Sequence, residues 1–140
     1  MPDLEKPLLP WMKFILRFVA VFNISAGALM TLGTNGAYRM IGMPDPEIDF
    51  PMKLVGILVA LFGWGYYLVA RHPLDNRNVL FLGMLSKGFG SLLGIYYMLR
   101  GKLPFIPFFP VLFFADIIYL VPFWLILRRL DRVTAERRAA

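Results

Sequence analysis

Long apolar stretches alternate with short connectors rich in proline and charge along the whole 140-residue chain. Four stretches stand out, over 11–33, 52–70, 78–99 and 105–127. At 1.5 Å per residue, each is long enough as an α-helix to cross a hydrocarbon core of ~30 Å. Lipid offers no partner for backbone N–H and C=O groups, so a spanning segment must satisfy them internally. The alternating pattern of a membrane β-barrel is absent from the sequence. The pattern predicts an all-α membrane protein, a single domain forming an antiparallel four-helix transmembrane bundle. Met43-Pro44-Asp45-Pro46 and His72-Pro73-Leu74-Asp75-Asn76 break the chain between the first three spans. Pro104, Pro107 and Pro110 mark the loop and opening turn of the fourth, where a missing N–H costs least.

Charge placement orients these spans. Of the 15 Lys and Arg residues, ten belong to the side shared by the N-terminus, the middle loop and the basic tail 128–140. Four, Arg39, Lys53, Arg100 and Lys102, belong to the other side, and Lys87 falls inside a span. This asymmetry predicts both termini in the cytoplasm and a bacterial inner-membrane location. The tail doubles as a contact for anionic lipid. Trp11, Tyr66, Tyr67 and Trp124 fall near the inner ends of their spans, and Tyr38, Tyr96, Tyr97 and Phe105 near the outer ends. The similar runs 65–71 and 94–100 read as two helix ends using the same anchors, ahead of an internal repeat. Ala26-Gly27-Ala28 looks like a signal-peptide cleavage site, but Asp3, Glu5 and Asn23 argue against cleavage.

Composition narrows the chemistry. The apolar fraction is 59% and mean hydropathy +0.64, too high for an ordinary globular surface. The net charge of +6 follows the span ends, as membrane topology requires, so nucleic acid is not expected as a partner. Without cysteine, and with His72 the single histidine, no metal site, cofactor or thiol chemistry is expected. No nucleophile–base set is legible, so no catalytic residue is assigned.

The informative anomaly is a polar layer inside the spans. Counting from the inner side, Lys87 lies ~13–14 Å deep, and Asp116 and Asn23 ~18 Å deep. Their helices are joined by a short loop, so an ion pair between Lys87 and Asp116 is predicted, with Asn23 as third member. Tyr119, one turn beyond Asp116, joins them, with Trp64 and Tyr67 as candidates from the second span. An unpaired charge at a helix centre costs about 2.5–3.5 kcal/mol on insertion scales, so these residues must face inward and satisfy each other. Such a layer is either a ligand site or a staple that fixes helix register. Gly83, Gly90 and Gly94 on the third span, and Gly56, Ala60 and Gly63 on the second, predict close helix contact. Pro122 is expected to kink the fourth span and free the carbonyl near Ile118.

The pattern Tyr67, Arg71, Pro73, Lys87, Asp116, Tyr119, Pro122, Phe123 resembles small four-helix bacterial membrane proteins of uncharacterised families, with an architecture similar to DoxX-like proteins. The resemblance implies a fold and no activity. The expected function is therefore an accessory or binding protein of the lipid bilayer. Its polar layer would hold a hydrophobic small molecule (lipid, quinone or isoprenoid), or the chain would dock on a larger membrane complex or a second copy. The alternative is an oligomeric proton-coupled transporter or channel subunit, in which Lys87 and Asp116 exchange partners. A lipid-modifying enzyme ranks third, because an amine paired with a carboxylate is a poor nucleophile.

Overall fold

A computed structural model describes residues 6–140, and all regular secondary structure among them is helical. The elements are α1 (Pro10–Leu32), α2 (Thr34–Met40), α3 (Phe50–Arg71), α4 (Arg77–Leu99), α5 (Phe105–Leu112), a π-helical turn (Phe113–Ile117) and α6 (Ile118–Ala139). α5, the π turn and α6 run on as one 35-residue rod, kinked near its start at Ile106, where φ is -111° and ψ 126°. With α1, α3 and α4 it makes four helices long and apolar enough to cross a membrane.

The boundaries follow local chemistry. α1 opens on Pro10, whose missing N–H costs nothing in a first turn. Gly33 ends it by donating its N–H to Leu29 O at 2.7 Å, and the chain re-enters a helix at Thr34. That short helix α2 was not predicted. Pro51 opens α3, and His72-Pro73 stops it. Gly101 turns the chain after α4 at φ 69°, a conformation other residues avoid.

Two features of the fourth span add to the sequence reading. The basic segment 128–140 is helical almost to its end, because α6 continues to Ala139. Buried Ile126, Leu127, Leu130 and Val133 recur at helical spacing and carry the apolar stripe past Arg128. Pro122 lies within α6, and a departure from α geometry occurs upstream of it. It is the π turn, where the Ile118 N–H reaches back five residues to Phe113 O.

The most extensive interface joins α1 and α3. Small residues allow it: a Cβ on Gly56 would lie 2.8 Å from Met30 Cβ, and one on Gly63 would lie 2.8 Å from Ala20 O. The backbones therefore approach as closely as in small-xxx-small pairs. The core gathers Leu16 and Val19 from α1, Tyr66 and Val69 from α3, Leu80 from α4, and Phe123 and Ile126 from α6. Only 28% of each span's most apolar window is buried, so Phe14, Phe18, Leu61, Phe89, Leu92 and others present an apolar exterior.

Charged groups also fasten the chain. Arg77 donates to both carboxylate oxygens of Asp131, at 2.8 and 3.0 Å. Arg129 donates to the carbonyls of Pro7 and Lys6, at 2.9 and 3.0 Å. The segment before α1, the start of α4 and the middle of α6 thus meet.

Candidate functional site

Lys87 is carried by α4 on a face whose neighbours are small. Gly83, one turn before it, lies against the Tyr66 ring, where a Cβ would come 2.8 Å from Cζ. Ser91, one turn after it, donates its hydroxyl to the Lys87 carbonyl at 2.6 Å. The side chain is almost fully enclosed, with 6% of it exposed. Its ammonium is nonetheless completely served. It donates to Ala115 O at 2.7 Å, Asp116 Oδ1 at 3.3 Å and Asn23 Oδ1 at 3.4 Å, three acceptors for three protons. The Tyr119 and Tyr66 rings flank it, with centroids 5.1 and 5.9 Å from Nζ.

The three acceptors come from two pieces of local structure. Ala115 and Asp116 both lie in the π turn, whose carbonyls leave the regular i→i+4 ladder. Asn23 bridges α1 to α3 by donating its Nδ2 to Val59 O at 3.3 Å while its Oδ1 accepts from Lys87. Asp116 is less enclosed than its partner, with 30% of its side chain exposed.

The structure brings together Lys87, Asp116, Asn23 and Tyr119. It does not bring in the two aromatic candidates of the second span. Trp64 is 54% exposed on the outside of α3, and Tyr67 stacks on Trp64 at 5.3 Å and carries Arg71 over its ring. The residue that does reach the layer from α3 is Tyr66, buried against Phe123 with centroids 5.1 Å apart. One residue is 100° of helix, and the run of two tyrosines hid which of them points inward. The signal that could have chosen is Gly83: a large ring needs a facing position without a side chain.

Beyond the ion pair lies a cavity of about 360 Å³. Asn23, Tyr66, Ser86, Lys87, Ala115 and Asp116 form its polar wall. Phe22, Met30, Met52, Phe62, Phe108 and Val111 contribute to its apolar walls, and α2 adds Ala37 and Met40. Met40, Leu29 and Val55 line the cavity and are also exposed, so it opens near α2. A volume of this size with apolar walls and a few convergent polar groups is what a small-molecule site requires. Among the described residues no group of three or more His, Asp or Glu is placed to hold a metal ion.

No protein-family model, curated protein or solved structure matches this chain. The arrangement therefore has to be read from its own geometry.

Proposed function

We propose that this chain is a multi-pass protein of the bacterial inner membrane that binds a hydrophobic small molecule in a cavity ending on Lys87, Asp116 and Asn23. In this reading the four long helices form an antiparallel transmembrane bundle with both termini in the cytoplasm. The apolar exterior supports insertion, because a water-soluble monomer rarely exposes so much contiguous apolar surface. The meeting of the segment before α1, the start of α4 and the middle of α6 supports placing the two terminal segments on one side. Arg128 over Trp124 and Arg100 over Tyr96, with cation-to-centroid distances of 4.9 and 5.9 Å, fit interfacial anchors at the two membrane surfaces.

The observation that carries the binding function is the cavity itself. A staple needs only the pair. Here the ion pair instead forms one wall of a space of about 360 Å³ that methionine and phenylalanine side chains complete. The site and the staple coexist: the ammonium locks α1, α4 and the π turn together, and the carboxylate faces the ligand.

The test is native mass spectrometry of the protein released gently from its own membrane, wild type beside Val111→Trp. The larger ring fills the apolar wall without touching the ion pair. A bound hydrophobic mass present in wild type and lost in a folded Val111→Trp variant supports the reading. A bare chain in both samples, or equal retention of the mass, overturns it.

A further inference from the structure

The hydrogen-bonding capacity left open in the cavity specifies the ligand's head group. Lys87 has none left, since its three protons go to Asn23, Ala115 and Asp116. Asn23 spends its oxygen on Lys87 and one amide proton on Val59. Two groups remain. Asp116 meets Lys87 through Oδ1, and its Oδ2 makes no hydrogen bond among the described residues. Tyr66 is 1% exposed, and its hydroxyl makes no hydrogen bond among them either. Yet no fully enclosed side-chain oxygen or nitrogen is left unpaired. Both residues line the same cavity, where the Asp116 side chain is 30% exposed and the Tyr66 hydroxyl lies against Gly83.

An ionised carboxylate oxygen only accepts, whereas a phenol both donates and accepts. Asn23, Ser86 and Tyr66 can all donate to a carbonyl or anionic head group, but such a group would leave the Asp116 oxygen, which needs a donor, unserved. A hydroxyl head group donates to Asp116 and accepts from Tyr66. From these open positions we infer that, within the binding function proposed above, the ligand is an amphiphilic alcohol or phenol. Its hydroxyl lies on Asp116 and Tyr66, and its apolar body runs along Phe108 and Val111 toward the opening by α2. The inference rests on that proposed binding function and restricts the ligand to one chemical class.

The probes are three photoreactive diazirine chains of equal length ending in a primary alcohol, its methyl ether or a methyl ketone. Each is titrated into the full chain in nanodiscs, and the labelled residues are mapped by peptide mass spectrometry. The alcohol should label cavity-lining residues saturably and with about 10–100-fold higher affinity than the ether or ketone, the range for one hydrogen bond to a charged group. Tyr66→Phe, which keeps the ring, should reduce that preference. Asp116→Asn should invert it: the amide oxygen can stay on Lys87, so that the amide N–H₂ faces the cavity and favours the ketone. Equal affinities for all three probes, or an unchanged preference in both variants, would overturn the head-group assignment while leaving the cavity a binding site. Failure of every probe to label the lining saturably would instead remove the binding function itself.

Discussion

The Lys87 ammonium sits closer to the carbonyl of Ala115, at 2.7 Å, than to the carboxylate of Asp116, at 3.3 Å. The lysine is therefore held by the backbone of the π turn as much as by its charged partner. The two ends of the ion pair should consequently respond differently to substitution. Lys87→Met removes all three bonds and leaves a largely enclosed carboxylate without its cation, a change that costs about 3–5 kcal/mol in buried pairs. Asp116→Asn leaves the ammonium on Ala115 and Asn23 with a neutral acceptor in the third place, and should cost only ~1–2 kcal/mol. Thermal unfolding in a single detergent, with both variants side by side, measures this asymmetry. Equal losses would mean that the carboxylate carries the interaction.

Glycines on α4 should separate by position. Gly83 lies against the enclosed Tyr66 ring, while a Cβ on Gly90 would meet nothing within 4 Å. Gly83→Ala is expected to destabilise by ~1–3 kcal/mol through overpacking. Gly90→Ala should be neutral or gain roughly 0.5–1 kcal/mol from helix propensity. Comparing the two melting temperatures decides whether the small residues of α4 serve contacts inside the chain. A large loss at Gly90 would reveal a packing partner outside it.

The clasp between Arg77 and Asp131 is bidentate, but 31% and 58% of the two side chains is exposed. Solvent screening therefore limits its worth. A double-mutant cycle with Arg77→Ala and Asp131→Ala should give a coupling of ~0.5–1 kcal/mol that shrinks as salt is raised. A coupling several times larger and insensitive to salt would show that this clasp is shielded from water.

Because the sequence has no cysteine, topology can be mapped with single introduced thiols and no background to remove. Asp75→Cys and Glu136→Cys should react with an impermeant maleimide only after the cytoplasmic face is opened. Glu47→Cys should react in intact spheroplasts. The opposite pattern would reverse the proposed orientation, and labelling of all three from one side would exclude a four-span topology.

The positions of the four long helices were legible because apolar runs of this length, broken by proline and charge, leave a chain few choices. The starts of α1, α3, α4 and the final rod fall within two residues of the predicted spans. The ion pair was legible as well, since two charges at similar depth on neighbouring helices have few other partners. Three features were not. Tyr66 and Tyr67 are chemically the same, so depth alone could not choose between them. The helical continuation to Ala139 was masked by arginines that read as a tail, although Leu130 and Val133 keep the apolar period running. The π turn carries no sequence signal of its own. A proline's missing N–H can be read directly from the sequence, as at Pro122, whereas a wider turn is set by tertiary contacts.

That turn also bears on how the chain tolerates changes in length. A π turn is a helix that has absorbed one additional residue, while an ordinary insertion would rotate everything beyond it by about 100°. Removing Phe114, which is exposed, would restore uniform α geometry and leave the faces of α5 and α6 in phase. What would be lost is the widened turn that offers Ala115 O to Lys87. The polar layer thus occupies the stretch where a one-residue deletion could dismantle the site without replacing a single polar side chain.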